Sequence, residues 1–190
     1  MKDNKLLYRL TRPIITFLFK LIYKPTFKGL ENIPKKGAII LAGNHTSSFD
    51  PLLLISSTKR SIHFLAKLEL FKGPKKIIFN NMGLIPVDRK NKTTKPLEQA
   101  KRYLDIGAVV LIFPEGTTEK NKGLLKFKTG SVVLAKNTNT KIVPFVIKGK
   151  YKPFKGGITL EFLESIKVSG DINHENDRLR DIISKNMEVD

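Results

Sequence analysis

From Pro34 onward this chain alternates short apolar runs with longer stretches of helical character, and that alternation limits the folds open to it more than any other feature. "GAIILAGN" is the clearest run: apolar, bounded by glycines and too short for an ordinary helix, it has the pattern of a buried strand. Runs of this kind predict strands at 38–43, 62–66, 84–87, 108–113, 142–147 and 158–164. The stretches between and after them predict helices at 51–57, 74–81, 95–106, 130–137 and 174–187, the last a basic, amphipathic surface helix. Strands and helices that alternate without repeats argue an α/β layered fold, with a largely parallel or mixed central sheet flanked by helices. In open sheets of this class ligands bind beyond the carboxyl ends of the strands. Three polar clusters fall there: "NHTSSFD" after 38–43, "DRKNK" after "GLIPV" and "PEGTTEKNKG" after "AVVLIF". We therefore expect them to converge on one edge of the sheet.

The amino end reads differently. Residues 6–23, "LLYRLTRPIITFLFKLIY", are mostly apolar, yet Arg9, Arg12 and Lys20 interrupt them. The longest clean run, Pro13 to Phe19, falls far short of the ~20 residues a spanning helix needs, and no small-residue cleavage site follows. We expect a helix lying in a membrane interface, broken near Pro13, rather than a span or a cleaved leader. The competing expectation is a helix packed on the core through Leu6, Leu10 and Phe17, which fall near one face. The chain accordingly divides into an interfacial helical segment over 1–30 and a domain over 31–190.

Composition narrows the function classes. The 190 residues suffice to bury roughly two-thirds of the unfolded surface. With no cysteine there is no disulfide, thiol nucleophile or thiolate zinc site. Thirty-five Lys and Arg against 17 Asp and Glu give a net charge of +18, a field that favours polyanions or an anionic lipid surface. The lysines are scattered over all segments, and no zinc-finger or RNA-recognition signature accompanies them, which argues against a specific nucleic-acid reader.

In "NHTSSFDP" a histidine precedes an aspartate by five residues. On a helix their side chains would point about 140° apart, so only a loop brings them together. Asp50-Pro51 supplies an N-cap and a first helical residue, which puts His45 and Asp50 in a strand-to-helix loop. A carboxylate beside an imidazole fixes its tautomer and stabilises the imidazolium, so the pair can deprotonate a substrate hydroxyl. The alternative is a capping Asp50 and an idle loop histidine. No G-x-S-x-G elbow supports Ser47 or Ser48 as a nucleophile, and His63 and His174 lack ligand spacing for a metal. "LIFPEGTTE" ends a strand with Glu115 and Gly116 ahead of Thr117 and Thr118, a segment that either cradles a phosphate or polar head or holds an ion-paired loop carboxylate. Arg89 either grips a phosphate or pairs with Asp88, and Lys126 and Lys128 precede a predicted helix amino end at Gly130-Ser131.

At these residues the chain resembles the 1-acylglycerol-3-phosphate acyltransferase family of glycerolipid acyltransferases. The family carries four ordered blocks, N-H-x-x-x-x-D, G-x-I-x-[IV]-x-R, F-P-E-G-[TS] and [IV]-[VI]-P-[VF]. This chain has "NHTSSFD", "GLIPVDR", "FPEGTTE" and "IVPFVI" between Asn44 and Ile147. The resemblance implies transfer of an acyl group from an acyl-carrier-protein or coenzyme A thioester to the free hydroxyl of lysophosphatidic acid, without a cofactor or metal. It implies His45 as base, Asp50 as its orienter, and Arg89, Glu115 and Gly116 as acceptor-binding residues; Thr117, Lys126 and Lys128 join them on the residue chemistry above. Family members commonly have arginine where this chain has Thr118, so the acceptor is either lysophosphatidic acid held by other cations (Lys120, Lys122 or Lys126), another lysolipid, or glycerol 3-phosphate. The implied setting is peripheral or monotopic, on the cytoplasmic face of an anionic membrane, with acyl-carrier protein as a candidate partner.

Overall fold

The computed structural model describes residues 5–73, 82–88, 95–118 and 123–188. Seven strands form one mixed sheet: β1 (Thr26–Lys28), β2 (Ile39–Gly43), β3 (Ile62–Lys67), β4 (Ile85–Val87), β5 (Val109–Ile112), β6 (Ile142–Gly149) and β7 (Ile158–Phe162), in the order β1-β7-β6-β2-β5-β3-β4. The five strands from β6 to β4 are mutually parallel, while β7 runs antiparallel to β6 and carries β1 parallel to itself. The reversal at β7 follows from its connection: residues 150–157 form a hairpin loop, which can join only antiparallel neighbours.

Each central strand is apolar without alternation because it is covered on both faces. From β2, Ile40 and Ala42 join a core with Ala100 and Leu104 of α3 (Lys95–Asp105), Val132 and Ala135 of α4 (Gly130–Thr138) and Leu179 and Ile183 of α5 (Ile172–Glu188). Ile39 and Leu41 point the other way, to Phe19 of α1 (Lys5–Tyr23) and to Leu53 and Leu54 of α2 (Asp50–Ser57). The result is three layers, with α1 and α2 on one side and α3, α4 and α5 on the other.

The predicted strands and helices in the described residues form within one to two residues at most ends. The expected helix at 74–81 lies outside the described residues. Strand β1 was not expected: three residues long, it exists through its pairing with β7, and so short a segment carries no periodic signal.

Two expectations for the amino end are corrected. Helix α1 runs through Pro13 without interruption; Pro13 and Arg9, whose carbonyl loses its helical partner, both face outward, so water can serve that carbonyl. The packed face is also not the Leu10 and Phe17 face. Tyr8 and Phe19 are buried, and the Tyr8 hydroxyl donates to the Arg60 carbonyl (3.3 Å) and accepts from the Ile62 amide (3.2 Å), while Arg12 Nε donates to the Thr58 carbonyl at 2.8 Å. Burial outweighs the Ile62 amide bond and the Arg12 charge, which both pull the other way, and pushes the Tyr8 phenol up to about 12. Leu10, Ile14, Phe17, Leu18 and Leu21, at three- and four-residue spacing, form an exposed apolar stripe instead, with Phe17 65% exposed. No described helix is long and apolar enough to cross a membrane.

Candidate active site

The carboxyl ends of β2, β5 and β4 lie on the same edge of the sheet, with β2 and β5 side by side. Strand β2 ends at Gly43, where a Cβ would run into the ring and carbonyl of Phe145 on β6. The next residue, Asn44, is fully buried and bonds β6 in both directions: its Nδ2 donates to the Ile147 carbonyl (2.8 Å) and its Oδ1 accepts from the Ile147 amide (2.7 Å). A side chain that satisfies a strand's own donor and acceptor fixes where the chain leaves the sheet.

From that anchored point the loop turns back on itself and brings His45 Nδ1 to 2.8 Å from Asp50 Oδ2. Asp50 is wholly buried, and five donors surround its carboxylate. Oδ2 also accepts from the amides of Thr46 (2.6 Å) and Ser47 (2.9 Å), and Oδ1 accepts from Thr46 Oγ1 (3.0 Å) and the Tyr151 hydroxyl (2.6 Å). Burial by itself would raise this carboxyl's pKa, but the bonds from His45, Tyr151, Ser47 and Thr46 outweigh it and hold the group below the usual carboxylate range. The N-cap expectation is corrected here: Asp50 is the first residue of α2, and its side chain turns back toward the loop instead of capping. An ionised carboxylate only accepts, so Nδ1 of the neutral ring carries the proton and Nε2 carries the lone pair. The ring stacks on Phe113 with centroids 3.9 Å apart and planes at 12°, and the side chain is 15% exposed.

Glu115 is buried one turn beyond the end of β5. Its Oε1 accepts the His45 amide (2.8 Å) and its Oε2 the Leu125 amide (3.0 Å), so one carboxylate ties the dyad loop to the segment leading into α4. Gly116 has φ 71, in the left-handed region, and a Cβ there would come within 2.9 Å of Lys128 Nζ. The Lys128 ammonium thus lies against a bare stretch of backbone.

His45 stands between two cavities. One, of about 480 Å³, runs between α2 and β3 and is largely apolar, with Leu52, Phe64, Leu70 and Leu84 in its wall and Thr117 and Thr118 at its rim. The other, of about 180 Å³, holds Lys128, Gly116 and Gly130, with Val87 at the end of β4. Lys67, at the end of β3, borders both.

The structure therefore brings together His45, Asp50, Glu115, Gly116, Thr117 and Lys128. Lys126 is exposed and lines neither cavity. Arg89, Lys120 and Lys122 lie outside the described residues. His63 is a core residue, its Nδ1 2.9 Å from the Gly83 carbonyl and its ring stacked on Tyr103 at 3.7 Å; among the described residues no group of three or more His, Asp or Glu is placed to hold a metal ion. Sequence reasoning missed Asn44, Phe113, Lys67 and Tyr151 as parts of the site. Asn44 and Phe113 stand inside the motif blocks, where their adjacency to His45 and Glu115 is a usable signal. Lys67 and Tyr151 have none, since strand order alone delivers them.

The Acyltransferase family model matches residues 24–148. The chain is 34% identical over 152 residues to the probable 1-acyl-sn-glycerol-3-phosphate acyltransferase of Mycoplasma pneumoniae, covering 76% of this chain and 56% of that protein. It is 35% identical over 122 residues to the 1-acyl-sn-glycerol-3-phosphate acyltransferase of Borreliella burgdorferi (63% and 49%) and 32% over 143 residues to the beta enzyme of that name from Homo sapiens (69% and 51%). The chain spans about half the length of these relatives. Among solved structures, the crystal structure of the 1-acyl-sn-glycerophosphate (LPA) acyltransferase from Thermotoga maritima superposes with a TM-score of 0.80, covering 99% of this chain and 83% of that chain at 24% identity, a likeness of fold.

Proposed function

We infer the function from the premise that the chain belongs to the Acyltransferase family: it moves a fatty acyl group from an acyl thioester to the free hydroxyl of a 1-acylglycerol 3-phosphate, giving phosphatidic acid. The observation that carries this reading is the His45–Asp50 pair at 2.8 Å, oriented so that Nε2 is left to the junction of an apolar and a lysine-bearing cavity. A thioester carbonyl is already activated, so no covalent enzyme intermediate is needed. Nε2 takes the acceptor hydroxyl proton as that oxygen attacks the carbonyl carbon; the tetrahedral adduct collapses with cleavage of the C–S bond, and the imidazolium returns its proton to the leaving thiolate. Asp50 stabilises the imidazolium between those two steps and keeps Nδ1 protonated.

The apolar cavity suits an acyl chain, and Lys128 beside the Gly116 backbone, with Lys67 and Thr117, suits the phosphate end. Arg89 belongs to that end by its motif. Glu115 contributes by holding the His45 backbone, and Gly116 by letting the chain approach the substrate closely. The donor is an acyl-carrier-protein or coenzyme A thioester, and no cofactor enters the chemistry.

The exposed stripe of α1 supports a peripheral seat on the cytoplasmic face of an anionic membrane, where lysolipid and product reside. Burying such side chains gains about 1.5–3 kcal/mol each, and Arg9 and Lys20 border the stripe where lipid phosphates would lie. Residues 1–30 then act as the lipid-surface segment and 31–190 as the transferase domain, with β1 linking the two through the sheet.

The test is acyl transfer to lysophosphatidic acid in detergent micelles, with the two thioesters offered separately, for wild type and a folded His45→Ala variant. We expect wild type to make phosphatidic acid and the variant to lose about 10²–10⁴-fold in rate. An active variant would remove His45 from the chemistry. An inactive wild type would move the acceptor to another lysolipid or glycerol 3-phosphate, which Thr118 in place of the family's arginine favours.

A further inference from the structure

We propose that Tyr151 is a positioning residue of the His45–Asp50 dyad, and that through its hydroxyl the dyad is tied to the seating of helix α1. The proposal rests on the reading of His45 as the base.

Four of the five donors to the Asp50 carboxylate come from His45, Thr46 and Ser47, within five residues of it. The fifth, the Tyr151 phenol, is 101 residues away in sequence and reaches Oδ1 at 2.6 Å from the loop between β6 and β7. Local donors shape the loop but cannot fix its carboxylate against the rest of the molecule; Tyr151 can.

What holds Tyr151 is mostly α1. Its ring meets those of Phe19 and Tyr23 nearly edge-on, at 6.1 Å and 76° and at 5.5 Å and 85°, with Phe49 closing the cluster at 5.8 Å. The backbone repeats the link, since the Phe154 amide of the same loop donates to the Ile22 carbonyl in the last turn of α1 at 2.5 Å. Phe154 adopts a left-handed conformation, φ 64, that a phenylalanine rarely takes. From the Tyr151 ring packed on α1 to the ring that would take the proton the path runs through two hydrogen bonds, Tyr151 to Asp50 and His45 to Asp50. A shift in the last turn of α1 loosens the first and so reaches the second.

The chemical consequence has a sign. A phenol donating to Oδ1 draws charge from the carboxylate and weakens its hold on the His45 Nδ1 proton. Without it, Asp50 binds that proton more strongly, the imidazolium is stabilised, and His45 stays protonated to higher pH. The titratable and charged groups facing His45 are Asp50, Glu115 at its amide, and Lys67 and Lys128 across the cavities it lines, all left in place by the variants below; those facing Tyr151 are Asp50 and, from α1, Tyr23.

Two variants test this, Tyr151→Phe and Phe19→Leu; the second removes ring support while leaving the phenol in place. The imidazole resonance of His45 is titrated by NMR, assigned against His45→Ala among the three histidines, and kcat and KM are measured across pH on a micelle-presented acceptor. For Tyr151→Phe we expect the His45 midpoint to rise by about half to one pH unit, the acid limb of kcat to follow it, and plateau kcat to fall about ten-fold with KM nearly unchanged. Phe19→Leu should move the midpoint in the same direction by less. A Tyr151→Phe variant that loses activity with the His45 midpoint unmoved makes Tyr151 merely structural and overturns the proposal. An unmoved midpoint in Phe19→Leu overturns the tie to α1. Because the midpoint is read without turnover, it reports the link even if His45→Ala keeps its rate, in which case the base reading fails by itself.

Discussion

Asp50 concentrates more of the site's energetics than any other side chain. An isolated carboxylate at 0% exposure would cost several kcal/mol, and five donors offset that cost only while it is ionised. Asp50→Asn keeps the volume but turns an NH₂ group toward donors, so we expect about 2–4 kcal/mol of lost stability at neutral pH. The pH dependence has a defined direction. A folded-state pKa held below the ordinary value of 3.8 contributes stability that is complete above pH 3.8 and is lost as the pH falls through the depressed value. The gap between wild type and Asp50→Asn in denaturant titrations should therefore narrow below pH 3.8; a gap that is constant through that range would show that the carboxylate is not held low.

Among the elements, α1 has two faces with different duties. Tyr8, Arg12 and Phe19 bind it to α2 and the sheet, and the stripe from Leu10 to Leu21 is left facing outward. Phe17→Glu combined with Leu21→Glu alters only exposed positions, so the thermal midpoint should shift by no more than about 2 °C. Binding to vesicles of anionic phospholipid, measured by co-sedimentation, should fall at least about ten-fold, because two exposed apolar side chains of the stripe become carboxylates that lipid phosphate repels. Undiminished binding would remove the stripe as the lipid-facing surface. Transfer to a short-chain, monomerically dispersed acceptor should be unaffected in the same variant, which separates lipid docking from chemistry.

At the scale of the whole molecule, the membrane seat proposed above would draw its range of attraction from a charge of +18 and its fixed contact from the apolar stripe. Affinity for anionic vesicles should drop about ten-fold or more between roughly 0.05 and 0.5 M salt, as the screening length falls below the separation of lysines and lipid phosphates, while neutral vesicles show little salt dependence. Salt-independent binding to anionic vesicles would make the charge incidental. The order of strands and helices was legible in the amino-acid sequence because apolar runs and their punctuation are local properties, and the motif blocks were legible because Asn44 to Asp50 and Phe113 to Thr117 are each contiguous. The meeting of His45 and Asp50 was permitted by their spacing in a loop but not required by it, since a capping Asp50 with an idle histidine fits the same residues; the folded loop decides it at 2.8 Å. What the sequence left open depends on which strands become neighbours. Placing β2 between β5 and β6 delivers Glu115 to the His45 amide, Ile147 to Asn44 and Tyr151 to Asp50, contacts 70, 103 and 101 residues apart. It also decides the face of α1: Leu10 and Phe17 are as apolar as Tyr8 and Phe19, and the helix turned inward the pair whose phenol could bond the exit of α2 and the start of β3. Periodicity states that a face exists; only packing against a partner selects which face it is.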